Sequence, residues 1–319
     1  MTDRQRFTGK LVALLAIGAL VLSGCAAHQD ASTQSPTTAL PVDSSFPVTV
    51  TPAGAKPVTL KARPHKIVSL SPTDTETLFA IGAGDQVVAA DKLSDYPTNA
   101  PHTKLDASQP NVEAIAGYNP DLVIINNDTN GLLAALQKVH IPVLLLSAPK
   151  TLDDAYAQWQ LLGKATGHAD QANDEVTKTK DQISKIVADT KKPAKPLSYY
   201  YELDQTYYTA TSKTFIGSVF NLFGLRNIGD SADTGSAGGY PQLSAEQVVN
   251  ANPDLIFLAD TKCCQQSAQS VAKRAGWGTL KAVSGGHVIG LDDDIASRWS
   301  PRIVDLVRQV SDAVDKAAK

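Results

Sequence analysis

The passage NVEAIAGYNPDLVII, beginning at Asn111, and the passage SAEQVVNANPDLIFL, beginning at Ser244, spell one pattern twice. Each opens on a polar residue, carries a glutamate two positions later (Glu113, Glu246) and reaches Asn-Pro-Asp-Leu before an apolar run. The offset is 133 residues for the glutamates and for the Asn-Pro pairs alike. A polar cap, an acid in the first turn and a proline that stops the segment predict a helix, and the apolar run predicts a strand. A chain that writes this helix–strand unit twice at such a distance is constrained to two lobes built on one plan.

The residues around the first copy fill in a lobe. VTVTPAGAKPVTL, from Val48 to Leu60, alternates and breaks at Ala53-Gly54, which predicts a hairpin. KIVSL is a short strand, and SPTDTETLFAIGAG is a helix capped by Ser71 or Thr73, with Asp74 and Glu76 as first-turn acids and Gly82 as its stop. DQVVAAD, DLVIIN and IPVLLLS are strands, with the helix GLLAALQKVH before the last. The second half repeats the order with the strand LSYYYEL and the helix KTFIGSVFNLFGL. After them come SAEQVVNA, with Gln247 completing a capping box on Ser244, and the strands DLIFLAD and GGHVIGLDD. The C-terminal stretch from Pro301 is an amphipathic helix. Strands alternating with helices predict parallel sheets covered on both faces. Between the halves, Val176, Ile183, Ile186 and Val187 fall at helical spacing and Pro193 stops the segment. The expected class is therefore α/β, with two Rossmann-like lobes at 48–165 and 194–319 joined by one long bridging helix at 166–193.

The beginning of the chain points to export. Arg4, Arg6 and Lys10 precede an apolar run from Leu11 to Leu22, which falls short of the roughly 20 residues a membrane-spanning helix needs. This is the pattern of a secretory signal over 1–24. Leu22-Ser23-Gly24-Cys25 matches a bacterial lipobox, in which cleavage before the cysteine leaves Cys25 to carry acyl chains. The Ser/Thr/Ala/Pro-rich stretch 25–47 has too little apolar content to fold and is expected to be a disordered tether. The expected location is the outer face of the cell membrane or the periplasm.

Removal of 1–24 takes the formal charge from −3 to −5, which argues against nucleic acid as a partner. Gly-x-Ser-x-Gly, His-Glu-x-x-His and Gly-Lys-Ser/Thr phosphate-loop motifs are missing, so no catalytic residue is expected. The six histidines are scattered singly and predict no metal site. Cys263 and Cys264 are adjacent, and either close a vicinal disulfide or both remain thiols. Tyr199, Tyr200 and Tyr201 lie within a strand and belong to the core. Tyr208 follows that strand, where open parallel sheets present ligands, and Tyr96 and Tyr240 also lie in loops. Rings so placed offer flat faces to a macrocyclic or aryl-bearing ligand. Arg298 either meets such a ligand or pairs with the acids Asp292, Asp293 and Asp294, and Lys92 is the other cation placed to offset ligand charge.

SLSPTDTE at 69–76, SDYP at 94–97, NVEAI at 111–115, YPQLSAEQV at 240–248 and RWSPRI at 298–303 occur in an order that resembles one family. The body from Val48 to Lys319 is similar to the substrate-binding proteins of ABC importers for ferric siderophores, haem and cobalamin, and closest to the cobalamin-binding branch. The resemblance implies the helical-backbone periplasmic binding protein fold and a large metal-chelate ligand, cobalamin or a related corrinoid, with a ferric siderophore or haem as the alternative. It implies no enzyme activity and no protein-held metal or cofactor; a surface enzyme or an adhesion module would be the reading from another class. By the resemblance Tyr240 and Tyr208 take positions that pack on the corrin ring, and Asp294 that of an acid facing the cleft before Arg298. Where the cobalamin binders have a tryptophan, this chain has Ala107 in DASQP. Glu113 and Glu246 would meet arginines on the two permease subunits. The partners implied are an ABC permease dimer with its ATPase subunits and, through Cys25, the membrane; the protein itself is expected to be a monomer.

Overall fold

Asn119 and Asn252, the asparagines of the two Asn-Pro-Asp-Leu copies, both adopt left-handed backbone conformations, with φ of 48° and 44°. Asparagine tolerates that region better than other residues with a Cβ, so it can end a helix there and turn the chain. The aspartates that follow do the same work in both lobes. Asp121 accepts from the backbone amides of His65 and Lys66, and Asp254 accepts from the amide and hydroxyl of Ser198. Each aspartate thereby ties the start of its own strand to the start of a neighbouring one. The repeat is a lobe-building device made of local geometry.

The computed structural model describes residues 45–318. The export signal, Cys25 and the tether up to residue 44 lie outside them. A small antiparallel hairpin, β1 (Val48–Val50) and β2 (Val58–Leu60), opens the described chain as the alternation predicts. The N-terminal lobe then runs β3 (Ile67–Leu70), α1 (Pro72–Ala80), β4 (Val87–Ala90), α2 (Val112–Ala116), β5 (Leu122–Ile125), α3 (Leu132–Lys138) and β6 (Val143–Leu145). Two helices follow, α4 (Leu152–Thr166) and α5 (Ala169–Asp189). The C-terminal lobe has β7 (Ser198–Glu202), α6 (Phe215–Asn221), β8 (Arg226–Asn227), α7 (Ala245–Ala251) and β9 (Leu255–Leu258). It ends with α8 (Ala268–Ala272), α9 (Lys281–Ser284), β10 (Val288–Gly290), α10 (Asp293–Ser297) and α11 (Ile303–Ala317).

Both sheets are parallel, in the orders β4-β3-β5-β6 and β10-β9-β7-β8. Numbered within its own lobe, each reads 2-1-3-4, so the repeated sequence returns as repeated topology. The two-residue β8 and the short helices α8, α9 and α10 carry too few residues for a periodic pattern, and the sequence reading passes over them.

The bridge is α5, continuous over 21 residues and preceded by α4, with Gly167 in left-handed conformation at the corner. Ala172, Val176, Thr179 and Ile183 make its buried stripe, spaced four, three and four apart. Val176 and Ile183 pack in the C-terminal core with Tyr199, Phe220 and Val310, whereas Ala172 packs in the N-terminal core with Leu162 and Leu144. Helix α4 divides likewise: Trp159 joins the first core and Leu162 the second. Tyr199, Tyr200 and Tyr201 are all fully buried, as a strand covered on both faces requires.

Candidate functional site

In parallel sheets the loops after the strands gather at one edge, and ligands are met there. Strand β3 leads into Ser71, whose hydroxyl accepts from the Asp74 amide and caps α1. Strand β5 leads to Asn126, β7 to the turn bearing Tyr207 and Tyr208, and β10 to the acids Asp292, Asp293 and Asp294. Residues from both lobes line a cavity of about 280 Å³ at these ends, among them Thr73, Lys92 and Asn126 from one side and Asp294, Arg298 and Trp299 from the other.

The floor of this cleft is a buried ion cluster. Glu76, which the sequence reading places as a first-turn helix acid, is 3% exposed. Its carboxylate accepts from Arg298 Nη1 at 2.7 Å, from Arg302 Nε and Nη2 at 3.0 and 2.6 Å, and from the Ser300 hydroxyl. Arg298 also donates to Asp95 at 3.0 Å, to the Leu93 carbonyl at 3.0 Å and to Asp294 at 2.6 Å. Burial alone would lower the pKa of Arg298, but Glu76, Asp294 and Asp95 more than offset it and hold the group above its ordinary value. Of its two expected roles, Arg298 therefore takes acid pairing, and with two carboxylates of the opposite lobe as well. Asp74 is fully buried, and burial raises it to about 7 against the opposing Ser71 bond. Lys92 is held by Asp106 at 2.6 Å, and its hydrogen bond, with those of Ser108, lowers Asp106 to about 2.

Above the floor stand the tyrosines. Tyr208 pairs with Gln242 in an antiparallel bridge, flanked by hydrogen bonds from Leu243 to Tyr207 and from Thr209 to Pro241. This short ladder holds Tyr208 and Tyr240 on adjoining segments, 41% and 43% exposed. Partial burial raises the Tyr240 hydroxyl above its ordinary pKa, so it remains a hydrogen-bond donor through neutral pH. The buried Tyr201 hydroxyl donates to the Ala296 carbonyl and ties β7 to α10, the helix that carries Asp294. Tyr96, 44% exposed on the N-terminal side, lies under the Arg302 guanidinium at 4.1 Å. It borders a second cavity, of about 520 Å³, that reaches Glu175 and Lys178 on α5. Asp294 and Arg298 thus line the smaller cavity and Tyr96 the larger one, while Tyr208 and Tyr240 stand exposed on their ladder outside the lining of both.

Lys262 reaches Asp292 and Asp294, at 2.9 and 2.6 Å, and those hydrogen bonds raise it to about 12. Asp293 accepts from the amides of Thr261, Lys262 and Cys263 and pins the loop between β9 and α8 against α10. In that loop Cys263 and Cys264 are free thiols. Desolvation, Cys264 and the charges of Asp293 and Asp260 push the Cys263 thiol up to about 12, so it stays protonated at neutral pH. No group of three potential metal-ligating side chains gathers among the described residues. Glu113 and Glu246 are both exposed, two residues past the caps Asn111 and Ser244, at the starts of α2 and α7.

Comparison with known proteins bears on the family and the fold. The model of the periplasmic binding protein family matches residues 67–295. An uncharacterized ABC transporter substrate-binding lipoprotein of Bacillus subtilis is 30% identical over 95% of both chains. A cobalamin-binding protein of Halobacterium salinarum is 31% identical over 97% of this chain and 85% of its own. Among solved structures, the periplasmic vitamin B12 binding protein of Vibrio cholerae superposes with a TM-score of 0.67 at 28% identity, covering 80% of this chain and 98% of the other.

The buried cluster generates a prediction. Removing Glu76 leaves two guanidinium groups without their shared counter-charge, and breaking a buried pair in this way costs about 3–5 kcal/mol. Glu76→Ala should lose that much in urea unfolding, whereas exposed Asp153→Ala, whose partner is Lys180, should stay within about 1 kcal/mol. Equal midpoints for the two variants would remove the cluster from the account.

Proposed function

The chain belongs to the periplasmic binding protein family, and on that premise we propose that it is the extracytoplasmic substrate-binding component of an ABC importer that carries cobalamin or a related corrinoid. Binding proteins of this family are carriers rather than enzymes. The observation that carries the ligand assignment is the pair of exposed tyrosines, Tyr208 and Tyr240, on one short ladder in the C-terminal lobe. Two exposed rings on one lobe suit a broad, flat ligand with an amide-bearing rim better than a small solute enclosed on all sides. The relatives named for cobalamin and vitamin B12 support the same choice. Ala107 lies against the N-terminal core and offers no ring, so stacking falls to the C-terminal tyrosines and to Tyr96.

Delivery follows from the repeat. Matching helix starts expose one carboxylate on each lobe, Glu113 and Glu246, and these would dock arginines on the two subunits of a permease dimer that works with its ATPase subunits. Exposed charge pairs of this kind set orientation and encounter rate more than affinity. Lipid attachment at Cys25 would keep the protein beside that permease at the outer face of the cell membrane or in the periplasm, in keeping with the lipoprotein relative.

Visible spectra after mixing with cyanocobalamin, haemin and a ferric siderophore test the ligand. The corrinoid spectrum should respond; a response to haemin or the siderophore alone would move the ligand and leave the class intact. Tyr240→Ala removes an aromatic contact worth roughly 0.5–1.5 kcal/mol beyond burial. Cyanocobalamin affinity should then weaken by about tenfold or more. Calorimetric affinities equal to wild type would take Tyr240 out of the site.

For docking, Glu113→Lys combined with Glu246→Lys should abolish most uptake while leaving ligand affinity within about twofold of wild type. Each single reversal should fall between the two. Normal uptake by the double variant would leave both glutamates with no more than the helix-dipole gain of about 0.3–1 kcal/mol.

A further inference from the structure

Behind the tyrosine ladder lies a charged cluster that takes no part in the lobe contact. Glu202, the last residue of β7, is fully buried and takes a two-pronged pair from Arg274, with both N–O distances 2.6 Å. Arg274 also donates to Gln266 at 2.7 Å, and its guanidinium lies 4.6 Å from the Trp277 ring and 5.5 Å from the Tyr207 ring. On the neighbouring strand β9, Leu258 stands opposite Glu202, and Asp260 follows two residues later. Asp260 is fully buried, and neither of its carboxylate oxygens has a hydrogen-bond partner.

The charges do not balance as they stand. Arg274 cancels Glu202, so an ionised Asp260 would be a surplus buried anion with no side-chain donor bonded to it. The groups that face it supply no further positive charge. Tyr200 and Tyr201 come from β7, Cys263 from its own loop and Asp293 from α10, and each is neutral or anionic. Tyr207 rests on Arg274, and Lys262 commits its ammonium to Asp292 and Asp294. A metal cation would sit against the Arg274 guanidinium, which repels it. A proton balances the cluster: Asp260 follows Leu258, the register partner of Glu202, and one Asp260 O–H directed at the Glu202 carboxylate supplies both a donor and the missing charge.

We infer that Asp260 and Glu202 share one proton beneath the cleft, and that this protonated platform positions Tyr208 and the cysteine loop for the ligand. The inference rests on the reading of the cleft as the ligand site. Its structural path is short. Tyr207 has a φ of 72°, which turns its ring onto Trp277 and Arg274 while Tyr208 beside it stays exposed. Leu203 N–H donates to the Tyr208 carbonyl and closes the turn directly after Glu202. From the other side, the Asp260 carbonyl accepts from the amides of Cys264 and Gln266, and Gln266 holds Arg274. Ionised, Asp260 gains most by turning towards water, which pulls on this loop and loosens the ring seat of Tyr207.

Burial first, then the charge of Glu202, hold Asp260 up at about 7, against the lowering effect of Arg274. A carboxyl raised above its ordinary value favours the folded platform at low pH, and that contribution is lost as pH rises through about 7. Trp277, against Arg274, is a built-in reporter that needs no ligand.

The test follows Trp277 fluorescence in the ligand-free protein, with Trp159→Phe and Trp299→Phe as background, and the affinity for cyanocobalamin, both against pH. With Asp260 intact the fluorescence of that background should titrate with a midpoint near 7, and the affinity of the native chain should weaken about threefold or more between pH of about 6 and about 8.5. Asp260→Asn, which is neutral at every pH, should abolish both dependences. A flat fluorescence profile, or a midpoint near 7 that survives Asp260→Asn, overturns the shared proton. A fluorescence midpoint with pH-independent affinity overturns the coupling to ligand. Failure of cyanocobalamin to bind wild type at any pH would instead defeat the ligand assignment, while the fluorescence still decides the platform. Should Asp260→Asn not fold, infrared spectra of an Asp74→Asn background remove the other carboxyl raised to about 7. They must then show a protonated-carboxyl band vanishing through the same midpoint, and its absence overturns the proposal.

Discussion

Glu76 is the residue on which the relation between the lobes depends. One carboxylate from α1 satisfies Arg298, Arg302 and Ser300 of the other lobe in a nearly water-free seam. An ion cluster of this kind adds little net stability, because desolvation consumes most of the attraction, but it penalises any arrangement that separates its members. Opening the cleft would expose an arginine that also holds Asp95, the Leu93 carbonyl and Asp294. Together with α5, which belongs to both cores, and the Trp159 indole donating to the Trp299 carbonyl, it favours a preformed cleft over a wide hinge.

A preformed cleft suits a rigid ligand. Tyrosines on a paired ladder lose little freedom on binding, so the aromatic contact is not spent on ordering loops. The ladder is in turn carried by buried chemistry: Tyr207 on Trp277 and Arg274, Arg274 on Glu202, and the loop of Cys263 on Asp293. Recognition at the surface and charge balance below it are therefore one problem in this lobe.

The lobes were legible in the sequence because their signals are local. The left-handed asparagines, the caps Asn111 and Ser244 and the aspartates that tie strand starts all act within a few residues of their position or on an adjacent strand. The three buried tyrosines of β7 were legible for the same reason. The seam was not: Glu76 and Arg298 are 222 residues apart, and an acid in a first helical turn reads as a solvated helix starter. Asp74 was read as a first-turn acid, which it is, but the same signal gave no sign that the fold buries it. Asp260 gives no sequence signal, since its character comes from Glu202 on the neighbouring strand and from the absence of any donor. Arg298 was half legible; its pairing with nearby acids could be read, its grip on the opposite lobe could not.

The distance distribution between the lobes tests the account most directly. Spin labels at the exposed positions Lys138 on α3 and Lys273 after α8, in a background without Cys263 and Cys264, report the separation with and without cyanocobalamin. The account predicts one narrow distribution, displaced by less than about 2 Å on binding, and broadening only when Glu76 is replaced by alanine. A broad distribution in the free protein, or a large closure on adding ligand, would contradict a cleft preformed by the buried carboxylate.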